Sequence, residues 1–218
     1  KNLKIKSQLS HSYIKDIGTN KRYQQELKRL EVNLKEKNKI VFLDRDGTII
    51  KNNENNDINK FKFADGAVDL IKKLQERRFI ISMVTNQPGI SKGICKYEDV
   101  ENLHSHLQHE LIKQGVKPID SIKYCPHHPE SGHQGEIESL KRVCVCRKPS
   151  VGMVEDVLKE FNLSNKQIEL LFIGDTLNDY KLSQKYNAEC FIVKSPLTEI
   201  DEIDKIHNNI FDITKEIK

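Results

Sequence analysis

Short apolar runs that end directly at acidic residues limit the fold of this chain more than any other feature. Ile40–Leu43 runs straight into Asp44, and Leu170–Ile173 is followed by one glycine and then by Asp175. Runs of this length with no polar alternation are typical of strands that are buried on both faces of a sheet. The chain is therefore expected to contain a central sheet with polar residues at its strand ends.

Segments with helical periodicity alternate with these apolar runs, which predicts an α/β fold: a Rossmann-like parallel sheet with helices on both faces. The predicted strands are Ile40–Leu43, Phe79–Val84, Ile119–Tyr124, Leu170–Ile173 and, as the last one, Cys190–Val193. The predicted helices are Ala67–Gln75, Tyr97–Gln114, Val151–Phe161 and Leu177–Tyr186. Ligands bind at the carboxyl ends of the strands in such sheets, and Asp44, Thr85 and Asp175 stand at these ends.

Four carboxylates follow two of the predicted strands: Asp44 and Asp46 after the first, and Asp175 and Asp179 after the fourth. Carboxylates and carbonyls are the hard oxygen ligands that Mg²⁺ prefers. Lys148 lies between the two pairs in sequence and is suited to hold a phosphate. This combination indicates phosphoryl transfer.

A cluster of soft metal ligands lies in the segment 125–146, which we interpret as a small zinc-binding loop inserted in the sheet domain. Three thiols, Cys125, Cys144 and Cys146, combine with an imidazole from either His127 or His128. Three thiolates and one imidazole form a complete tetrahedral set for a structural Zn²⁺. The alternative is a reduced loop without metal.

The composition and charge of the chain argue against several classes of protein. The 218 residues carry a net charge of +4, which is too small to indicate nucleic-acid binding. We find no run of about 18 apolar residues and no apolar signal-peptide core, so neither a membrane span nor secretion is expected. Five cysteines, three of them at metal spacing, argue against a disulfide framework and favour a cytoplasmic location.

The polar motifs at the strand ends resemble those of the haloacid dehalogenase (HAD) phosphatase superfamily. Its first motif is Asp-x-Asp-x-Thr, and the run from Asp44 to Thr48 reads Asp-Arg-Asp-Gly-Thr. The later motifs have counterparts in Thr85-Asn86-Gln87, in the lysine of Arg147-Lys148-Pro149, and in Gly174-Asp175 with Asp179. The resemblance covers residues 39–218.

This resemblance implies a role for each motif residue. Asp44 is the expected nucleophile, which forms an aspartyl-phosphate. Asp46 is the expected general acid and base, and its backbone carbonyl joins Asp44 and Asp175 in holding Mg²⁺. Thr85 and Asn86 are expected to bind phosphate oxygens, and Lys148 to stabilise the charge of the transition state. Asp179 is expected either to cap a helix or to orient Asp175.

The zinc loop narrows the resemblance to two groups: D-glycero-D-manno-heptose 1,7-bisphosphate phosphatases and histidinol-phosphate phosphatases. Both carry Cys-x-His and Cys-x-Cys-Arg-Lys-Pro, which favours His127 as the zinc ligand. The run from Thr85 to Gly93 is more similar to the heptose enzymes. This implies removal of the C7 phosphate of the heptose bisphosphate. Arg147 is the expected specificity residue, and Asn52–Asn55 are expected to lie near the substrate.

Residues 1–38 are polar and rich in lysine, and a helix is predicted over Lys21–Lys37. We interpret this segment as an N-terminal arm or linker. The run Tyr13–Tyr23 also resembles the closing segment of sugar nucleotidyltransferases, which would fit a fusion that activates the product heptose 1-phosphate. The expected partner is thus a small sugar-phosphate substrate bound by a monomeric phosphatase domain.

Two further alternatives stay open from the sequence. A polynucleotide 3′-phosphatase shares the Asp-x-Asp core, although the small net charge and the zinc loop count against it. A non-catalytic, zinc-held interaction module is the alternative from another class of protein.

Overall fold

A computed structural model describes residues 39–163, 168–196, 198, 203 and 206–217. Its strands are β1 (Lys39–Leu43), β2 (Ile80–Asn86), β3 (Ser121–Cys125), β4 (Glu169–Gly174), β5 (Glu189–Val193) and β6 (Ile206–His207). Its helices are α1 (Ala67–Glu76), α2 (Tyr97–Lys113), α3 (Gly152–Glu160), α4 (Leu177–Gln184) and α5 (Ile210–Glu216), with single 3₁₀ turns at Ile58–Lys60 and Glu138–Leu140. The predicted helix Lys21–Lys37 and the nucleotidyltransferase-like run Tyr13–Tyr23 lie outside the described residues.

All six strands form one parallel sheet in the order β3-β2-β1-β4-β5-β6. The chain first builds outward from β1 to β3 and then returns to the other side of β1 with β4. The order therefore reverses between β1 and β4, and a crevice opens there at the carboxyl ends of the strands. The predicted Rossmann-like parallel sheet is confirmed.

The two faces of the sheet bury alternate residues of each strand. In β1, Val41 and Leu43 pack on a core that α1, α2 and α5 share. Ile40 and Phe42 point to the other face and pack against α3 and α4. Because both faces are covered, the strands read as continuous apolar runs, as is usual for parallel sheets.

The prediction that Cys190–Val193 is the last strand is wrong. The two-residue strand β6 pairs with β5 through Ile206 and His207, and the helix α5 follows it. A strand of two residues is too short for a period-2 pattern to be visible in the sequence, so only its pairing with β5 identifies it.

The other elements predicted between residues 39 and 193 exist, and their ends differ from the prediction by at most two residues. Within the described part of the chain, no helix combines the length and the apolar character that a membrane crossing requires.

Candidate active site

Three carboxylates meet at the point where the strand order reverses. Asp44 follows β1, Asp175 follows β4, and Asp179 lies in the first turn of α4. One oxygen from each lies within 4.8 Å of the others, and all three residues are buried. The sequence separates these residues by up to 135 positions, and the parallel pairing of β1 with β4 brings them together.

The backbone of the first motif is shaped to let these carboxylates approach. The Asp44 amide donates to the carbonyl of Ile173 at 2.9 Å, which continues the β1–β4 pairing past the strand end. Gly47 adopts a positive φ of 77°, and a Cβ at this position would collide with the carboxylate of Asp175. A glycine is therefore required here for both conformation and space.

Two residues that follow β5, Ser195 and Thr198, donate hydrogen bonds to Asp175. Its Oδ2 accepts a hydrogen bond from the Ser195 hydroxyl at 2.6 Å, and its backbone carbonyl accepts one from Thr198 at 2.7 Å. Its Oδ1 is buried with no hydrogen-bond partner. Burial and the neighbouring charge of Asp44 raise the pKa of Asp175 to about 8. A buried carboxylate with an unused oxygen and a raised pKa is the environment that a bound cation would relieve.

Lys148 supplies the positive charge of the cluster. Its Nζ lies 2.8 Å from Asp44 Oδ1 and 2.6 Å from Asp179 Oδ1, and its side chain is buried. Burial alone would lower the pKa of Lys148, but the charges of Asp179 and Asp44 outweigh it and raise the pKa above its usual range. These two carboxylates therefore favour the charged form of Lys148.

The amide side chain of Asn86 fixes the backbone at Lys148. Asn86 Oδ1 accepts from the Lys148 amide at 2.9 Å, and Nδ2 donates to the Lys148 carbonyl at 3.1 Å. Asp179 caps the N-terminus of α4 by accepting hydrogen bonds from the Thr176 amide and hydroxyl. Of the two expected roles of Asp179, the structure thus contains the helix cap, and it adds a contact with Lys148.

Asp46 lies at the edge of the same site, and one of its oxygens is densely hydrogen-bonded. Oδ2 accepts from Arg45 Nη2 at 2.8 Å, from Arg45 Nε at 3.1 Å and from Gln87 Nε2 at 2.8 Å. Oδ1 is buried without a partner. Arg45 is itself fully buried and also contacts Nε2 of His104 at 3.1 Å. The sequence motifs indicate no individual role for Arg45, Gln87 or His104.

A cavity of about 250 Å³ opens above these groups. Its lining includes every predicted catalytic and phosphate-binding residue together with part of the Asn52–Asn55 segment. The lining residues with polar side chains are Asp44, Asp46, Asn52, Glu54, Thr85, Asn86, Gln87, Lys92, Arg147, Lys148, Asp175, Thr176 and Asn178. Lys92, Arg147 and Lys148 face four carboxylates in this lining, so a bound cation would have to offset negative charge before the cleft suited an anionic ligand.

The predicted zinc ligands also come together. The Sγ atoms of Cys125, Cys144 and Cys146 lie 3.2 to 3.5 Å apart. His127 directs Nδ1 to Cys146 Sγ at 3.3 Å and to Cys125 Sγ at 3.5 Å. These spacings fit four ligands around one tetrahedral ion. His128 is not part of the group; its Nδ1 accepts a hydrogen bond from the Glu130 amide.

Residues 39–193 match the family model described as polynucleotide kinase 3 phosphatase. A D-glycero-alpha-D-manno-heptose-1,7-bisphosphate 7-phosphatase from Photorhabdus laumondii is 33% identical over 184 residues, which cover 83% of this chain and 97% of that protein. This chain belongs to the family of the heptose bisphosphate phosphatases. A D-glycero-beta-D-manno-heptose-1,7-bisphosphate 7-phosphatase from Haemophilus influenzae is 37% identical over 66% of this chain and 74% of that protein.

A solved structure of this family has the same fold. The D,D-heptose 1,7-bisphosphate phosphatase from B. bronchiseptica, complexed with magnesium and phosphate, aligns with a TM-score of 0.64 over 81% of this chain and 96% of that one. Its sequence identity to this chain is 21%. The sequence matches, together with this shared fold, identify the chain as a HAD-type phosphatase. The polar cleft at the reversal of strand order is its candidate active site.

Proposed function

We propose that this enzyme removes the C7 phosphate of D-glycero-D-manno-heptose 1,7-bisphosphate in a magnesium-dependent reaction through an aspartyl-phosphate. The observation that carries the proposal is the clustering of Asp44, Asp175 and Lys148 at the crevice between β1 and β4. The names of the relatives at 33% and 37% identity support the choice of sugar.

Asp44 is the nucleophile of the proposed reaction. One of its oxygens attacks phosphorus, a P–O bond to Asp44 forms, and the P–O bond to the sugar breaks. Asp46 gives its proton to the departing sugar oxygen. Asp46 then removes a proton from water, the water oxygen bonds to phosphorus, and the bond to Asp44 breaks to release phosphate and free Asp44.

The carboxylates of Asp44 and Asp175 would hold the magnesium ion, together with the backbone carbonyl of Asp46. The unpartnered Oδ1 of Asp175 and the pKa of about 8 support this assignment, because both indicate that the protein alone does not compensate the ionised form of Asp175. When bound, the ion offsets the repulsion between the Asp44 carboxylate and a dianionic phosphate.

Lys148 and Thr85 would bind the phosphate that is transferred. The ammonium of Lys148 already lies beside Asp44, where negative charge gathers in the transition state. Thr85 accepts a hydrogen bond from Gln87 at 3.0 Å, so its hydroxyl hydrogen remains for a phosphate oxygen. Asn86 uses its amide oxygen and one amide hydrogen on the backbone of Lys148, and we assign to it the positioning of that lysine as well as a phosphate contact.

Arg147 would bind the rest of the substrate, and the zinc loop would hold it in place. Its Nη1 donates to the carbonyl of His127 at 3.1 Å, which couples the arginine to a proposed Zn²⁺ ligand. A guanidinium suits a second phosphate or a pair of sugar hydroxyls. The Zn²⁺ would be structural, because Cys125, Cys144 and Cys146 with His127 leave no open ligand position.

A substrate panel tests the proposal. We expect magnesium-dependent phosphate release to be fastest with an α or β anomer of the heptose 1,7-bisphosphate, slower with fructose 1,6-bisphosphate and slowest with histidinol phosphate. A higher kcat/KM for histidinol phosphate would instead identify the enzyme as a histidinol-phosphate phosphatase. Release that does not depend on magnesium would reject the mechanism, and the absence of any phosphatase activity would favour the non-catalytic, zinc-held module.

A polynucleotide 3′-phosphatase is a second candidate, since the matching family model carries that description. The net charge of +4 gives little support for a nucleic-acid groove. A 3′-phosphorylated oligonucleotide added to the panel decides between them. Faster turnover of the oligonucleotide than of the sugar phosphates would support this second candidate.

The domain assignment is also a proposal. We assign residues 39–218 to a monomeric phosphatase domain in the cytoplasm and residues 1–38 to an arm, linker or nucleotidyltransferase tail. The thiols at the zinc site must stay reduced to bind metal, which supports a reducing compartment. Light scattering of the purified chain tests the monomer, and the sequence upstream of Lys1 in the gene tests the fusion.

A further inference from the structure

The hydrogen bonds on Asp46 distinguish its two carboxylate oxygens. Oδ2 accepts three hydrogen bonds, two from Arg45 and one from Gln87, while Oδ1 is buried without any partner. An oxygen that accepts three donors has little capacity left to bind a proton, so a proton on this carboxyl group belongs on Oδ1. These contacts therefore determine the orientation of the Asp46 carboxyl group during proton transfer.

Both donors are themselves held in place. Arg45 Nη1 contacts His104 Nε2 at 3.1 Å, and burial and the charge of Arg45 lower the pKa of His104 to about 3, so the imidazole stays neutral and accepts. Gln87 Oε1 accepts from Arg45 Nη2 at 2.8 Å and from Asn56 Nδ2 at 3.2 Å. This orientation leaves the Gln87 amide nitrogen to donate to Asp46.

We propose that Arg45 and Gln87 are positioning residues for the general acid, and that their contacts with Oδ2 fix Oδ1 of Asp46 as the oxygen that carries the proton. In the first step, the Oδ1–H bond breaks and the proton bonds to the sugar oxygen as that oxygen leaves phosphorus. In the second step, Oδ1 takes a proton from the attacking water. The inference rests on the proposed function, in which Asp46 is the general acid.

The identity of the leaving group separates positioning of an acid from a general structural role. A sugar alkoxide is a poor leaving group and needs the proton, whereas p-nitrophenolate is a stable anion and leaves without it. We therefore expect Gln87→Met to lower kcat/KM for heptose 1,7-bisphosphate by roughly 10- to 100-fold and for p-nitrophenyl phosphate by less than about 3-fold. The variant Arg45→Met addresses the same question. Because Arg45 is fully buried, its replacement is expected to destabilise the fold, and Gln87→Met is therefore the main test.

Gln108→Met is the matched control. The Gln108 amide makes two hydrogen bonds, to the backbone N–H and C=O of Ile119 at 2.8 and 2.9 Å, whereas the Gln87 amide makes four. Gln108 lies in α2 and does not line the active-site cavity. We expect this variant to lose stability and to leave the ratio of the two kcat/KM values unchanged.

Asp46→Asn sets the scale of the effect. It should show the same selective loss, and adding Gln87→Met to it should change the ratio no further, because there is no acid left to position. Equal losses on both substrates in Gln87→Met, with a selective loss in Asp46→Asn, would overturn the inference and leave the proposed function intact. Equal losses in Asp46→Asn itself would remove Asp46 as the acid and overturn both.

Discussion

The ammonium of Lys148 donates to the carboxylate of Asp179 at 2.6 Å, and both side chains are almost completely inaccessible to solvent. The two residues lie 31 positions apart, one after the zinc loop and one in the first turn of α4. Asp179 therefore holds the cation of the active site, in addition to capping α4.

We expect Asp179→Asn to lower kcat by roughly 10- to 100-fold and the free energy of unfolding by about 2 kcal/mol, because Lys148 keeps only Asp44 as a charged partner. Steady-state kinetics and urea denaturation measure the two effects. Asp69→Asn is the control, since Asp69 is an exposed first-turn acid of α1 and its change should stay within about 0.5 kcal/mol. Unchanged kcat in Asp179→Asn would reduce Asp179 to a helix cap.

Asp44→Asn should lower kcat by at least about 1,000-fold, since an amide cannot form the covalent phosphoenzyme. The circular dichroism spectrum should match that of the wild type, because asparagine has nearly the same shape as aspartate. The substitution also leaves two of the three buried carboxylates in place. Mass spectrometry after a rapid acid quench should detect a phosphoryl adduct on Asp44 in the wild type alone. Substantial turnover by the variant would refute the proposed nucleophile.

The raised pKa of Asp175 predicts how the stability of the magnesium-free protein varies with pH. Its pKa is about 8 in the folded protein and 3.8 for an ordinary aspartate, so between these values the folded state binds one more proton than the unfolded state. Stability should therefore fall as pH rises from about 4 to about 8, by up to about 1.4 kcal/mol per pH unit from this group. Urea denaturation at a series of pH values in magnesium-free buffer measures this slope.

Magnesium should bind more tightly as pH rises toward 8, because the ion requires ionised Asp175. Isothermal titration calorimetry in buffers of different ionisation enthalpy should detect the released proton. Asp175→Asn should flatten the pH dependence of stability. A pH-independent affinity, with no proton release, would contradict the raised pKa.

Cys146→Ser should reduce the zinc content from about one ion per chain to near zero, since only two thiolates and one imidazole remain. KM should rise several-fold, because Arg147 donates a hydrogen bond to the backbone carbonyl of His127, the proposed fourth zinc ligand. Atomic emission spectrometry and substrate saturation curves check the two effects. Cys190→Ser should leave both unchanged, because Cys190 lies in β5 outside the cluster.

Much of the active site is predictable because parallel strands end at a common edge. The apolar runs before Asp44 and Asp175 identify two strands, and the reversal of strand order then places both carboxylates in one crevice. The spacing of Cys125, Cys144 and Cys146 likewise indicates a shared metal. Local pattern and the chemistry of the side chains are sufficient for these predictions.

Long-range pairings account for what the sequence did not reveal. The strand β6 exists because Ile206 and His207 pair with β5, and the strand is too short to have a period. A charged residue such as Arg45 is expected on the protein surface, yet the structure buries its side chain completely against Asp46 and His104. Its one visible signal was its position between two acidic residues of the first motif.

The amino-acid sequence by itself determined the parallel α/β architecture, the acidic strand ends and the group of closely spaced thiols, because these follow from periodicity and residue chemistry along short segments. Only the tertiary structure decided that Asp179 pairs with Lys148 and that Arg45 and Gln87 contact one oxygen of Asp46. These contacts join residues that are distant in sequence or buried against expectation. Their geometry depends on how the sheet and its helices pack, which no local pattern encodes.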